Sequence, residues 1–196
     1  MMDLITALTL PDSIPYDGSL LVRAEYTRFR AGTSARWENE ILKQSRRTCV
    51  IRCTGYRQEE AVHSLMASLL LRPVGTAESP AAFSVPENAL PAGICWRSFS
   101  KEEIGEFSRT TGDTNSVHRR NPPVVQGLFL LKELSDAFPS SRISVSFLHP
   151  VYGGDPVFLA KNGCSLLGIS RGVRCFQAEM VPPDSFPADG RPCEKR

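Results

Sequence analysis

From Ser19 to Arg72, β-branched and aromatic residues interleave with charged ones in short runs. The runs are SLLVRAEYTRFR, ARWENEILK, RTCVIRCTGY and AVHSLMASLLL, with turn-forming residues such as Gly32-Thr33-Ser34 between them. Alternation broken by turn chemistry predicts an antiparallel meander. The last run is ambiguous, because Leu65, Met66 and Leu69 would also line a helix. Residues up to about Asp17, interrupted by Pro11 and Pro15, read as an irregular lead-in.

The pattern lapses after Arg72. RPVGTAESPAAFSVPENALP repeats proline and small residues with no sustained period, the composition of an extended linker. A second unit begins near Ile94 with the short strand CWRSFS. Ser100 is a candidate N-cap, and Glu103 three residues on completes a capping box. Ile104, Phe107 and Ser108 share a helical face, and Thr111-Gly112 should end that helix. The loop Asp113 to Pro123 follows. Pro122 and Pro123 set the entry to a second helix, predicted from about Val124 to Phe138. It is apolar nearly all round at first, through Val124, Val125, Leu128, Phe129, Leu130 and Leu131, so it should be buried. Lys132, Glu133 and Asp136 bring its far end into water, and Pro139 stops it. Three strands, RISVSFL, DPVFLAKNG and GVRCFQAEMV, precede the polar tail PPDSFPADGRPCEKR.

These boundaries divide the chain into a strand unit (1–75), a linker (76–93), a second unit (94–183) and a tail (184–196). The two units carry a faint repeat. VRAEYTRFRAGTSA aligns with ISVSFLHPVYGGDP at one offset, setting Tyr26 against Phe147 and Gly32 against Gly153. After a small shift, Arg47 to Val50 fall near Arg171 to Arg174. The repeat suggests two related sheets, the first with little or no helix.

A chain of 196 residues suits one large domain or two small ones, and 41% apolar residues are ordinary for a globular protein. The formal charge of +2 gives no strong pull toward nucleic acid. Arginines and a lysine nevertheless crowd the first third: Arg23, Arg28, Arg30, Arg36, Lys43, Arg46, Arg47, Arg52 and Arg57. They are either the solvated face of strands or a landing surface for an acidic carrier protein or a phosphorylated cofactor. The six cysteines show no paired CxxC spacing and no histidines to complete a zinc set. Several sit in apolar runs, where reduced Cys behaves as a small core residue, which favours a reducing, cytoplasmic compartment. The first ten residues lack the basic start and apolar core of a signal peptide. No apolar run approaches the ~20 residues of a membrane span.

One stretch concentrates candidate chemistry. FSRTTGDTNSVHRRNPPVVQGLFLLKEL holds Asp113, Asn115 and His118 in one loop, with Gly127 near the start of the buried helix. Asp113 and His118 form an acid–base pair of two types, and His changes charge near neutral pH. Such a pair suits removal of water from a β-hydroxyacyl thioester, which needs a base for the α-proton and an acid for the leaving hydroxyl. The amide of Gly127, in a first helical turn, suits the charge developing on the thioester oxygen. Asn115 would hold the loop or orient a carboxylate. The alternative is structural: Asp113 and Asn115 as turn residues, His118 at the surface beside Arg119 and Arg120, and Gly127 as a packing glycine. His63 lacks a sequence neighbour to act with and reads as structural.

FSRTTGDTNSVH resembles the hydratase motif of the MaoC-like (R)-specific enoyl-thioester hydratase and β-hydroxyacyl dehydratase family: Gly-Asp, then Asn, then His five residues after the Asp. PVVQGLFLLKEL is similar to the start of that family's central helix, and SFLHPVYGGDPV to its strand connection. The blocks run in the family's order and cover roughly Ser98 to Val157. The resemblance implies an α+β hot-dog fold, a long helix wrapped by an antiparallel sheet. It makes the chain a double hot dog with a degenerate N-terminal half. It implies Asp113 and His118 as the catalytic pair, with Asn115 beside them and the Gly127 amide as oxyanion donor. Val125, Gln126, Arg119 and Arg120 become substrate-binding candidates, the two arginines toward the phosphates of a pantetheine carrier. It implies no metal and no redox cofactor; coenzyme A or phosphopantetheine enters as part of the substrate. The partners it implies are an acyl thioester and an acyl carrier protein, in fatty-acid or polyketide-type metabolism, with no nucleic acid or membrane. A homodimer is expected from the sheet edges that an incomplete first unit leaves.

Two positions depart from the family pattern. Ser116 stands where members usually have Pro, and only Arg119 to Val125 separate His118 from Gln126. His149, before Pro150, stands where the family has an apolar or small residue and reads as structural. A hot-dog thioesterase and a non-catalytic acyl-binding subunit are the alternative functions.

Overall fold

In the computed structural model, residues 1–8, 14, 16–71, 93–162 and 165–183 are described. The alternation read from the first third becomes four strands: β1 (Leu20–Arg28), β2 (Arg36–Gln44), β3 (Thr48–Arg57) and β4 (Glu60–Leu70). Along β3, every second residue is buried, as a strand with one covered face requires. The ambiguous run AVHSLMASLLL is strand β4, paired on one side with β3 and on the other with β1. Its long antiparallel ladders decide what periodicity alone left open. The lead-in is less irregular than expected: Met2–Ala7 form a short helix, α1, whose Leu4 and Ile5 join the main core.

The second unit adds β5 (Ile94–Arg97), α2 (Lys101–Thr111), a 3-10 turn (Ser116–Arg119), α3 (Gly127–Ala137), β6 (Arg142–Phe147), β7 (Val157–Asn162), β8 (Ser165–Ser170) and β9 (Val173–Val181). The capping box on α2 is present in both directions. Glu103 N donates to the Ser100 hydroxyl at 3.1 Å, and Ser100 N donates to the Glu103 carboxylate at 2.7 Å. Gly112 ends the helix at φ +70°, a conformation that costs glycine little.

Two expectations shift. Helix α3 begins at Gly127, not Val124, because the preceding backbone is already used. Val124 bridges to Tyr152, and Val125 N donates to Val151 O at 2.9 Å. Pro122 and Pro123 therefore sit before a short extended segment, outside the helix. Four strands follow α3, not three. SLLGIS forms β8, with no charged residue to mark it against the neighbouring turn.

All strands lie in one antiparallel sheet, in the order β2-β3-β4-β1-β6-β9-β8-β7-β5. The two stretches of chain meet where β1 pairs with β6, Tyr26 opposite Ile143 and Ala24 opposite Val145. The order contains a repeat: β2-β3-β4-β1 has the same succession as β7-β8-β9-β6. The offset that aligned Gly32 with Gly153 also aligns the starts of β2 and β7. The second alignment fails, since it sets β3 against β9 whereas β3 corresponds in position to β8. Helix α3 packs on β1 and β6 at this seam. Its Leu130, Leu131 and Leu134 share one core with Ala24, Tyr26, Ile143, Val145 and Phe176. Phe107 of α2 stacks on Phe129 of α3 at 4.7 Å, and Phe99 meets Phe129 edge-on at 5.2 Å.

Part of the crowded N-terminal charge is paired: Arg52 meets Glu40 at 2.8 Å across β3 and β2, and Arg30 meets Glu60. Cys49, Cys53 and Cys175 are buried and Cys95 is exposed, all four as free thiols. Among the described residues, no helix is long and apolar enough to cross a membrane. The 76–93 linker, up to residue 92, and the 184–196 tail lie outside the described residues.

Candidate active site

The loop after α2 is organised by its own short-range hydrogen bonds. Asp113 N donates to Ser108 O at 3.0 Å, extending the end of α2. Asn115 N donates to Asp113 Oδ1 at 3.0 Å, an Asx turn that holds the carboxylate over the loop. Asn115 then caps the 3-10 turn, its Oδ1 accepting from Val117 N at 3.3 Å. That turn carries His118 back toward Asp113.

The outcome is a carboxylate–imidazole pair. His118 Nε2 lies 3.4 Å from Asp113 Oδ2, with both side chains largely buried at 9% and 12% exposure. His118 Nδ1 lies 2.7 Å from Val124 O. A carbonyl oxygen only accepts, so Nδ1 carries the proton and Nε2 presents its lone pair when the ring is neutral. Two acceptor atoms, Oδ2 and Nε2, then lie side by side. A small molecule with two hydrogens to give, such as water, satisfies both.

The second organising element comes from the other end of the chain. The stretch Tyr16–Ser19 docks on the loop through four hydrogen bonds. Tyr16 OH donates to Asp113 Oδ1 at 3.1 Å, and Gly18 N donates to Asn115 Oδ1 at 3.0 Å. Asn115 Nδ2 donates to Ser19 O at 2.9 Å, and Ser116 N donates to Asp17 Oδ1 at 2.7 Å. Asn115 is only 3% exposed and all its polar side-chain atoms are bonded. It holds the loop, as expected, but to the N-terminal segment. Burial, and then the negative charge of Asp113, push the Tyr16 phenol well above its ordinary range, so it stays a donor. The hydrogen bonds from Ser116 hold the Asp17 carboxyl below its usual value.

Both parts of the chain wall a cavity of about 330 Å³. Asp113, Asn115 and His118 line it, as do Val125, Gln126 and Gly127 at the entry to α3. The opposite wall is apolar and comes from Leu20, Leu21, Ile51, Ala67 and Leu69. Gly127 is the first residue of α3, so its amide has no acceptor within the helix. A Cβ there would lie 2.7 Å from Leu21 Cδ2 and 3.1 Å from Phe147 Cζ, so one of these side chains would have to shift to admit it.

The other candidates divide. Val125 lines the cavity with its side chain buried. Gln126, 2% exposed, spends its amide on a brace: Nε2 donates to Ile104 O at 3.0 Å and to the Ser108 hydroxyl at 2.7 Å. Arg119 and Arg120 are exposed and do not line the cavity, because the 3-10 turn that brings His118 inward leaves its last residues facing water. His149, read as structural, does line it. His63 bonds Ser34 Oγ at 2.6 Å, away from this cavity. Tyr16, Leu21, Ile51, Ala67 and Phe147 escaped the sequence reading. Tyr16 stands in a Tyr-Asp-Gly turn, a composition that signals a bend but no partner.

A single antiparallel sheet packed around one buried helix is the hot-dog fold, and the chain has it. Solved structures with this fold include HtdX from Mycobacterium tuberculosis, with TM-score 0.60 and 20% identity over 92% of this chain and 82% of that one. A MaoC-like dehydratase from Phytophthora capsici matches with TM-score 0.55 and 15% identity, over 90% and 75%. An acyl-ACP thioesterase from Bacteroides thetaiotaomicron matches with TM-score 0.50 and 9% identity, over 83% and 75%. At these identities the likeness is one of fold. No family model matches the chain, and no curated protein matches it in sequence.

Proposed function

We propose that the protein is a hydro-lyase that adds water to enoyl thioesters and removes it from β-hydroxyacyl thioesters. The observation that carries this reading is the pairing of Asp113 Oδ2 with His118 Nε2 at 3.4 Å, two acceptors side by side in the wall of a largely apolar cavity. In hydration, water bridges the two from the cavity side, giving a hydrogen bond to each. One of the pair takes a proton from it as its oxygen bonds to Cβ of the enoyl group. The electron pair of the double bond moves onto the thioester oxygen, where the Gly127 amide and the α3 dipole stabilise it. The pair then returns a proton to Cα. Dehydration runs the same steps in reverse. Val125 lines the acyl path, and Gln126 sets the angle between α2 and α3.

The same reading treats residues 1–75 as a degenerate hot dog, 76–93 as a linker, 94–183 as the catalytic unit and 184–196 as a tail. The repeated strand order supports it. Substrates are thioesters of coenzyme A or of an acyl carrier protein. Arg119 and Arg120, exposed beside the loop, would meet carrier phosphates outside the cavity. The protein works in the cytoplasm, as a homodimer, without metal or redox cofactor.

The test is loss of enoyl-thioester absorbance with crotonyl-CoA. Wild type should hydrate it without releasing thiol, and Asp113→Asn should be slower by about 100- to 10,000-fold. Thiol release in place of hydration would establish the thioesterase reading, which the acyl-ACP thioesterase among the fold neighbours keeps in play.

A further inference from the structure

The loop's own bonds account for the direction of His118, but the rotation of the Asp113 carboxylate is also held from outside the loop. A terminal carboxylate torsion is broad and nearly two-fold. Asp113 Oδ1 here receives two donors, Asn115 N at 3.0 Å and Tyr16 OH at 3.1 Å. Oδ2 is the oxygen left for His118. The Asn115 amide belongs to the loop and moves with it. Tyr16 comes from 97 residues away, on a different wall of the cavity.

Tyr16 is itself anchored. Ile14 is buried against Cys49, Leu69 and Leu71, and Tyr16 packs on the same cluster. Asp17, Gly18 and Ser19 then tie the segment to Asn115 and Ser116. The phenol is thus fixed to the first half of the sheet and holds a side chain of the second. Burial keeps it protonated, so it donates across the whole working pH range.

We infer that Tyr16 is a positioning residue for the hydration proposed above: its hydroxyl fixes the rotation of the Asp113 carboxylate so that Oδ2 faces His118 and the water that bridges them. The inference rests on that function. The titratable and charged groups around the carboxylate are His118 on the 3-10 turn, Tyr16 and Asp17 on the lead-in, Arg120 at the end of the turn, and His149 on the facing wall.

The experiment measures kcat, KM and the pH profile of crotonyl-CoA hydration for wild type and Tyr16→Phe, with thermal unfolding of both. Tyr16→Phe keeps the ring that lines the cavity and removes one donor. The expected result is a fall in kcat of about 10- to 100-fold with little change in KM. The acidic limb should move to higher pH, because a carboxylate that loses a donor is easier to protonate. Site-specific 3-fluorotyrosine at position 16 keeps the shape and strengthens the donor, so the limb should move the other way. Unchanged kinetics in Tyr16→Phe, with wild type active, would overturn the inference alone. So would a change confined to KM, or a loss that follows unfolding with both limbs in place. No hydration by the wild-type protein would overturn the function and, with it, this role for Tyr16.

Discussion

The four strands β1–β4 and the five strands β5–β9 run in matching order, yet they have divided the work. The β5–β9 half carries α2, α3, the loop with Asp113 and His118, and the helix amide at Gly127. The β1–β4 half has no long helix among its described residues, and β2 at its edge is exposed along its whole length. It nevertheless supplies the apolar wall of the cavity through Ile51, Ala67 and Leu69. It also anchors the segment that grips Asp113 and Asn115. Reactive groups are held on a short loop braced by two helices, and the space and alignment come from the sheet beside it.

Substitutions at the seam test this division most sharply. Asn115→Ala removes three side-chain bonds at once, those with Gly18 N, Val117 N and Ser19 O. We expect activity to fall about 100-fold, since a shift of about 1 Å has that effect. Stability should fall by about 1–3 kcal/mol in a denaturant titration. Retained activity would show that the second half arranges its loop unaided.

Gly127→Ala tests the packing between halves, because its methyl group would press on Leu21 from one and Phe147 from the other. Unfolding should show a loss of about 1–3 kcal/mol. A smaller loss would mean that Leu21 yields easily and the seam is loose.

A smaller effect belongs to the first half alone. Burial, and then the nearby N-terminal amine, hold His63 below its ordinary pKa. The folded protein therefore keeps this ring neutral, while the unfolded chain takes up a proton below pH ~6.5. This contribution to stability is complete above that pH and declines as the pH falls toward the folded-state value. His63→Gln should flatten the decline in thermal unfolding between about pH 7 and 5. An unchanged slope would assign it to other groups.

The smallest effect is expected on β2. Ile41→Thr should change monomer stability by less than about 0.5 kcal/mol. A shift in sedimentation of the protein on this substitution would instead place β2 in a contact between copies of the chain.

The legible parts of the site were those built from near neighbours. Asp113, Asn115 and His118 lie within six residues, and the turn that gathers them uses bonds of two or three residues' reach. Gln126 was legible as a residue near the helix start but not as a brace. Its partners, Ile104 and Ser108, are about twenty residues back on another helix. Arg119 and Arg120 read as substrate contacts by adjacency. The 3-10 turn separates them from the cavity, since neighbours on so tight a turn point in different directions. β8 was missed because Ser165–Ser170 is a short apolar run without alternation, which a strand buried on both sides shares with loop and helix segments.

By itself, the sequence determined the elements and the chemistry of the loop: alternating strands, the capping box at Ser100, the stop at Gly112 and the spacing of acid to base. Each depends on residues a few positions apart, where torsional preference and local hydrogen bonds decide. Only the tertiary structure decided that β1 lies beside β6, that Tyr16 reaches Asp113, and that Ile51 and Ala67 form a wall opposite it. Those contacts join residues tens of positions apart and depend on how the whole sheet is ordered. No local pattern encodes that order, because each strand's alternation is satisfied by any neighbour that covers its apolar face.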